Sequence, residues 1–405
     1  MNSLVGVLSL LVFAWLVSSN RSSINWRTVG WAFTLQATIG GVALFSAWGQ
    51  SALQFLSQRV ASLLEYSQAG IAFMFGPLVA AESNLGFIFA FSVLPIVIFF
   101  SALIAVLYHL GVMQWIIRII GGGLRRLLGT SHTESLSAAA NVFVGQAEAP
   151  LVARPYLPGM TSSELFAVMV GGMASIAGSV MAGYVALGVP LEYLLAASFM
   201  AAPGGLLMAK MMEPETAVPE QPTPGAKLEG ERYVNLVDAA ASGAMDGFKM
   251  AGAIAAMLMA FIGLIAMLNG LLGWAGDLLG QPGLTLEALL GLLFKPLAWL
   301  LGVPWSEAEL AGSLIGQKLV LNEFVAYVAY SGVATEFSPN ASAVVVFALC
   351  GFANLSSIAI LLGGLGAIAP MRRDEISRFG PRALLAATLS NLMSAALAGF
   401  FLSLG

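Results

Sequence analysis

Charged side chains are too scarce in this chain for a water-soluble fold. The chain has 405 residues but only 17 lysines and arginines and 21 aspartates and glutamates. This is 9% of the residues, against roughly 25% in average soluble domains. The net charge of −4 and the lack of a basic stripe disfavour a nucleic-acid partner. A chain that is 59% hydrophobic is therefore predicted to be a polytopic membrane protein.

Apolar runs predict about eight membrane-spanning helices, since about 20 mostly apolar residues cross the hydrocarbon core as a helix. Strict alternation of apolar and polar residues is absent, which disfavours an outer-membrane barrel and favours an all-α class. The clear windows are Leu85–Leu107, Leu165–Leu187, Met250–Leu272, Ala341–Leu362 and Ala383–Leu402. The weaker ones are Leu4–Val17, Trp31–Trp48 and Leu194–Met208.

The positions of the basic residues predict an orientation. They follow the first, third, fifth and seventh expected spans, and cytoplasmic loops carry an excess of Lys and Arg. We therefore expect the N-terminus and the C-terminus to lie outside the cell. These residues are Arg21, Arg27, Arg118, Arg125, Arg126, Lys210, Lys227, Arg232, Arg372, Arg373, Arg378 and Arg382.

A polar segment at 212–233 divides the chain. It holds five glutamates and four prolines without an apolar run, a composition typical of a linker. We expect N-terminal spans and an interfacial helix in 1–84, a first half in 85–211, a cytoplasmic linker in 212–233 and a second half in 234–405.

Two further segments are apolar enough to enter the membrane but carry polar groups. The first, at about 133–159, contains Gln146 and Glu148, and the second, at about 305–332, contains Glu323. A complete crossing would invert the charge pattern downstream, so each is predicted to enter and return as a re-entrant helical hairpin. Irregular backbone at that depth is tolerated where it is packed in protein or lines a cavity.

The spacing of polar residues predicts that the two halves repeat each other with opposite orientation. Glu148 precedes Ser179 by the same interval as Glu323 precedes Asn354. Inverted repeats whose broken helices meet near the midplane are typical of secondary transporters. Both glutamates are expected in apolar surroundings. Inserting a carboxylate there costs at least about 2.5–3.5 kcal/mol, so it normally has a bonding partner or a function. A buried ion pair or packing group is the structural alternative to a ligand site.

No signature of covalent chemistry is present in the sequence. We find no phosphate-binding loop, metal-ligand cluster or nucleophile elbow, and His109 and His132 have no metal-binding spacing. An ATP-driven pump and an enzyme are therefore disfavoured. Two alternatives to a secondary transporter stay open here: a channel, and an intramembrane enzyme with Glu148 and Glu323 as paired catalytic carboxylates.

Four motifs in order resemble the concentrative nucleoside transporter family. They are GQAEAP at 145–150, GGMASIAG at 171–178, LNEF at 321–324 and GFANLSSI at 351–358. The resemblance runs from about residue 85 to the C-terminus, and the first spans match in pattern only. It implies cation–nucleoside symport in an inner membrane by an elevator-like movement. It also implies a homotrimer of protomers with eight spans, two opposed re-entrant hairpins and interfacial helices.

The resemblance also implies a role for individual residues. Sodium is the expected coupling ion, with a proton as the alternative, and no other cofactor is expected. A uridine-like nucleoside is the expected substrate. The implied base contacts are Gln146, Glu148 and Val180, and the implied ribose contacts are Glu323, Phe352, Asn354 and Ser357. The implied sodium ligands are the side-chain oxygens of Asn141 and Ser175 and the carbonyls of Val144 and Ile176.

One residue departs from the family pattern. Ala147 stands where many relatives carry Thr or Ser. A base contact is therefore missing or replaced by water, and base selectivity stays open. The presence of both Asn141 and Ser175 favours sodium over a proton.

Overall fold

Helices are the regular structure found in the described part of the chain. A computed structural model describes residues 2–79, 87–146, 148–149, 156–219, 233–278 and 280–404. No β-strand occurs among these residues. The all-α prediction is therefore confirmed.

Eighteen α-helices lie within the described residues. They are α1 (Asn2–Leu16), α2 (Trp26–Phe45), α3 (Ala47–Glu65), α4 (Ser67–Phe75), α5 (Phe89–Ser92), α6 (Leu94–His109), α7 (Val112–Leu128), α8 (His132–Ala140), α9 (Ser162–Ala174), α10 (Gly178–Ala186), α11 (Leu191–Met212), α12 (Leu236–Leu278), α13 (Leu286–Leu300), α14 (Ala308–Val320), α15 (Glu323–Val333), α16 (Pro339–Leu349), α17 (Leu355–Ile368) and α18 (Arg373–Leu402).

Six stretches of helix in the described part are long and apolar enough to cross a membrane. They include α2, α11, α12 and α18. The first expected span is a 15-residue helix, α1. The fold therefore has several spanning helices, as expected, but its apolar windows do not map one to one onto continuous helices.

Two predicted spans are interrupted. The window Leu165–Leu187 divides into α9 and α10 around Ser175, and Ala341–Leu362 divides into α16 and α17 around Gly351. The two breaks span three and five residues, which is too short to lower a hydropathy average taken over about 20 residues. Hydropathy alone does not reveal these breaks, whereas the inverted-repeat construction expected from the polar residues includes broken helices.

The long helix α12 contrasts with these broken ones. It is continuous for 43 residues, or about 64 Å at 1.5 Å per residue. This is about twice the thickness of a hydrocarbon core. α12 packs chiefly along α6 and is otherwise largely exposed. Its apolar surface is therefore left uncovered by the rest of the described chain over most of its length.

The interior is formed by helices that are buried on nearly all sides. α11 is buried along most of its length although it contains Pro203, and it packs on α2, α9 and α18. α14 and α15 are consecutive, packed together and joined through Leu321 and Asn322. In the first expected hairpin, residues 147 and 150–155 lie outside the described residues, as does 220–232 of the expected linker. Re-entrance of the two segments stays a prediction.

Candidate functional site

The two helix breaks contact each other directly. Ser175 ends α9 in an extended conformation, and Phe352 lies between α16 and α17. The Phe352 N–H donates a hydrogen bond to the Ser175 carbonyl with an N–O distance of 3.0 Å. A residue from the implied sodium site thus contacts a residue from the implied ribose site through the backbone.

Two helix N-termini, one at the α14–α15 junction and one at the second break, are joined by a hydrogen bond between Glu323 and Asn354. Asn322 caps α15 and Asn354 caps α17 with their side-chain oxygens. The Asn354 Oδ1 accepts from the Ser357 N–H at 3.0 Å, so its Nδ2 is turned toward Glu323. That Nδ2 donates to the Glu323 Oε2 at 2.8 Å. The cap therefore fixes which end of the Asn354 amide meets the carboxylate.

Glu323 is buried, and both of its carboxylate oxygens accept hydrogen bonds. Asn354 donates to Oε2, and the Tyr184 hydroxyl donates to Oε1 at 3.1 Å. An ionised carboxylate offers about four acceptor positions, so about two stay available for a ligand. Two hydroxyl groups on neighbouring atoms, as in a ribose, match this capacity.

All seven residues implied as substrate contacts line one cavity of about 210 Å³. The structure therefore brings together side chains that lie more than 200 residues apart in the sequence. Polar groups line part of the cavity, and α12 supplies apolar side chains to the lining. The lining includes Gln146, Glu148, Val180, Met250, Ala253, Ile254, Met257, Leu258, Glu323, Phe352, Asn354 and Ser357.

Gln146 joins the two halves of the cavity. Its Nε2 donates to the Ser357 Oγ at 3.1 Å, and the Ser357 hydroxyl donates to the Phe352 carbonyl. The Gln146 Oε1 is buried without a hydrogen-bond partner in the described structure. An unpaired buried carbonyl costs about 1–3 kcal/mol, so this atom is suited to accept from a polar ligand.

Glu148 differs from the expectation for it. The sequence placed both glutamates in apolar surroundings, but Glu148 is exposed where Glu323 is buried. Its Oε2 accepts from the Gly145 N–H at 3.3 Å. Because an exposed carboxylate keeps most of its hydration, the Glu148 carboxylate is less costly to ionise than the buried Glu323 carboxylate.

The four residues implied as sodium ligands are all deeply buried. Asn141, for example, is only 1% exposed. Both polar atoms of the Asn141 amide lack a hydrogen-bond partner in the described structure. A Cβ at Gly171 would lie 3.0 Å from the Asn141 Nδ2, so the absence of a side chain there lets Asn141 pack against α9. The unpaired Asn141 Oδ1 and the Ser175 hydroxyl are neutral oxygens, the kind of ligand that a hard cation prefers.

The donor set disfavours a transition metal. Within the described residues, no group of three or more His, Cys, Asp or Glu side chains could hold a metal ion. Zinc and related ions select such nitrogen, sulfur and carboxylate ligands. The neutral oxygens near Asn141 therefore fit an alkali cation better, and the residues present are compatible with sodium.

Two parts of the site could not be found from the sequence pattern. Tyr184 is fully buried, yet a single tyrosine near the end of an apolar helix is typical of an interfacial anchor. The wall formed by Met250, Ile254 and Met257 has ordinary helical spacing and an apolar character typical of a lipid-facing stripe. Only the neighbours of these residues in space distinguish them.

Three family models match successive parts of the chain. Residues 193–399 match the Na+ dependent nucleoside transporter C-terminus, and residues 5–78 match the Na+ dependent nucleoside transporter N-terminus. Residues 90–191 match a model described as nucleoside recognition. All three regions contain residues that build the core or the cavity.

Relatives match over nearly the whole chain. The uncharacterized transporter YutK of Bacillus subtilis is 52% identical over 98% of both chains. The nucleoside permease NupC of Helicobacter pylori is 48% identical, over 99% of this chain and 98% of its own. Human solute carrier family 28 member 3 is 39% identical, over 98% of this chain and 59% of that protein.

Solved structures have the same fold. CNTnw in an inward-facing substrate-bound state is 52% identical, with a TM-score of 0.95 over 100% of this chain and 98% of that one. A doubly substituted CNTnw in an outward-facing state gives a TM-score of 0.97 at the same identity, over 100% and 99%. The helix arrangement described above is thus shared along the full chain.

Proposed function

The chain belongs to the Na+-dependent nucleoside transporter family, and from this premise we propose that it imports nucleosides by sodium symport. Its relatives and fold are those of transporters, so the paired-carboxylate enzyme considered above is excluded. One observation carries the proposal for the site. The side chains implied as nucleoside contacts converge on one cavity, beside a buried Asn141 amide that lacks a partner.

The ribose would bind at the second break. Glu323 keeps about two acceptor positions after bonding to Tyr184 and Asn354. The second Nδ2 proton of Asn354 could donate to a ribose oxygen. Phe352 offers an aromatic face beside these groups. Hydrogen bonds to an ionised group contribute about 1.5–3 kcal/mol, so recognition of the ribose hydroxyls would dominate binding.

The base would bind between the first break and α12. The unpaired Gln146 Oε1 accepts from a base N–H, while its Nε2 can exchange Ser357 for a base carbonyl. Glu148 adds an acceptor from the solvated side, and Val180 packs against the ring. Ala147, which departs from the family pattern, lies outside the described residues, and no base contact is assigned to it.

Sodium would bind at Asn141, Val144, Ser175 and Ile176 and be carried with the nucleoside. One charge crossing 100 mV releases about 2.3 kcal/mol, and a tenfold sodium gradient adds about 1.4 kcal/mol. Together these permit roughly a few-hundred-fold accumulation for each sodium ion. The chain itself needs no covalent chemistry to use this energy.

Movement and assembly are proposed on the same family basis. CNTnw has been solved in inward-facing and outward-facing states, which supports alternating access, here by an elevator-like movement. We place the chain in an inner membrane as a homotrimer with both termini outside. The largely exposed apolar surface of α12 supports contact with lipid or with another protomer.

Uptake of labelled uridine into proteoliposomes tests the function. An inward sodium gradient should drive accumulation above the external concentration, and choline at the same pH should abolish it. Competition by each unlabelled nucleoside would then define base selectivity. Undiminished uptake in choline that follows a proton gradient would establish the proton-coupled alternative. Uptake that never exceeds the external concentration would establish a channel.

A further inference from the structure

Lys318 is a buried lysine that the proposed transport site does not use. Its side chain lies at the end of α14, and the residue is 3% exposed. Its Nζ donates to the Ala348 carbonyl at 3.0 Å and to the Asn391 Oδ1 at 2.7 Å. None of the ion pairs formed among the described residues includes Lys318. Burying an ammonium group in apolar surroundings costs free energy. A lysine at this position is therefore expected to have a function.

Asn391 continues the connection to the other broken helix. It is buried in α18, and its Nδ2 donates to the Ala174 carbonyl at 2.6 Å. Ala174 is the last residue of α9, and Ala348 lies in the last turn of α16. Lys318 and Asn391 therefore bridge the C-terminal ends of both broken helices.

The chemistry of helix ends explains why a cation is placed there. The last carbonyls of a helix lack intrahelical donors and carry about half a negative charge. Two such ends approach each other beside the breaks in this protein. The positive Lys318 ammonium stabilises this negative potential. It binds the Ala348 carbonyl directly and reaches the Ala174 carbonyl through the Asn391 amide. Each carbonyl thereby gains a donor at a depth where water is scarce.

The bridge lies against the residues that join the two proposed sites. Gly351 has φ +149°, and a Cβ there would lie 2.4 Å from the Asn391 Oδ1. Glycine thus lets the second break close onto Asn391. The next residue, Phe352, donates its N–H to the Ser175 carbonyl. A shift of either helix end would move both Ser175 and Phe352.

We propose that Lys318 and Asn391 are positioning residues that couple cation binding at the first break to ribose binding at the second. This inference rests on the proposed sodium–nucleoside symport. The bridge holds the ends of α9 and α16 together. A cation that orders Ser175 therefore also fixes the positions of Phe352 and Asn354. Without the bridge, each break adjusts on its own and the two ligands bind independently.

Asn391→Asp is the sharpest test of this coupling. The aspartate still accepts from Lys318 but cannot donate to the Ala174 carbonyl. The measurement is the uridine KM in proteoliposomes at low and at saturating sodium, with the ratio of the two values as the readout. We expect this ratio to fall about fivefold, the change that corresponds to one lost hydrogen bond of about 1 kcal/mol. Lys318→Met should lower the same ratio.

Ser394→Ala is the matched control. Ser394 is buried one turn further along α18 and contacts Gln36 and Ser390, away from both breaks. Its loss should leave the KM ratio unchanged. A merely structural role for Asn391 would lower the melting temperature and the amount of active protein without changing that ratio.

The outcomes separate the coupling from the function itself. An unchanged ratio in folded Asn391→Asp protein would overturn the coupling, while sodium-driven uptake by the wild type would still support the transporter. If Lys318→Met does not fold, Asn391→Asp decides alone; if that also does not fold, the bridge is structural and the coupling is rejected. Absence of sodium-driven uptake in the wild type would reject the proposed function first.

Discussion

The Tyr184 hydroxyl donates a hydrogen bond to the Glu323 carboxylate at 3.1 Å, across 139 residues of sequence. Tyr184 also packs against Phe324 and Tyr327, with ring centroids 5.1 and 4.4 Å away. The ring is therefore held by neighbours, and the hydroxyl orients one oxygen of Glu323. This relationship extends the proposed ribose site into α10.

Removing that hydroxyl should weaken nucleoside binding without disturbing the fold. In Tyr184→Phe the ring packing stays and one donor to Glu323 is lost. We expect the nucleoside KM to rise about fivefold, as for one hydrogen bond of about 1 kcal/mol, with an unchanged sodium activation curve. Tyr327→Phe is the control, since its hydroxyl donates to the Val346 carbonyl and not to Glu323. Equal KM changes in both variants would contradict the assignment.

Glu323→Gln should abolish uptake. The amide keeps the shape of the carboxylate, but it has one acceptor oxygen instead of two, and the negative charge is lost. Purified protein is expected to stay folded and to show no saturable uridine binding by calorimetry. Glu309→Gln, in a side chain that is 53% exposed, should bind normally. Normal transport by Glu323→Gln would show that this carboxylate does not bind the sugar.

The sugar hydroxyls should decide affinity. The site offers buried polar groups to them, and a ligand without hydroxyls would leave those groups unpaired. We expect 2′,3′-dideoxyuridine to compete with labelled uridine at least about tenfold less well than uridine, because two hydrogen bonds of about 1 kcal/mol each are lost. Equal competition by the two compounds would show that the ribose hydroxyls do not contribute to binding.

Asn141→Ala should weaken sodium dependence in particular. The variant removes the unpaired amide oxygen from the proposed cation site. We expect the sodium concentration for half-maximal uptake to rise about tenfold, the effect of losing an interaction of about 1.4 kcal/mol. Ser137→Ala is the control, because Ser137 is also buried and unpaired but lies one turn earlier in α8. A sodium curve that coincides with that of the wild type would place the cation elsewhere.

A buried ion pair at the base of α8 should matter for stability instead. Lys210 pairs with Glu134, and both side chains are buried. Lys210→Met leaves the Glu134 charge without its partner, which costs about 3–5 kcal/mol when the pair is buried. We expect a clearly lower melting temperature in detergent. Lys249→Met is the control, because Lys249 and Asp246 form an exposed pair worth about 1 kcal/mol or less. Similar melting temperatures for the two variants would mean that solvent reaches the Lys210 pair.

Local pattern was sufficient for the class of protein, and it also singled out residues that line the cavity. Apolar length predicted the spanning helices, and short motifs predicted Gln146, Glu323 and Asn354 as neighbours in one site. Hydropathy missed the breaks beside Ser175 and Gly351, because a few polar or irregular residues change a long average very little. It also placed Glu148 in apolar surroundings, whereas that side chain is exposed in the folded chain.

The sequence by itself determined that this chain is a helical membrane transporter, because apolar length, charge scarcity and motif order are local properties. The tertiary structure decided which groups act together. It set Tyr184 against Glu323, Asn391 between Lys318 and Ala174, and Met257 in one cavity with the polar residues. These contacts join helices far apart in the sequence. They form because a buried polar group must have a hydrogen-bond partner. In these cases the partner comes from a residue that is distant in the sequence.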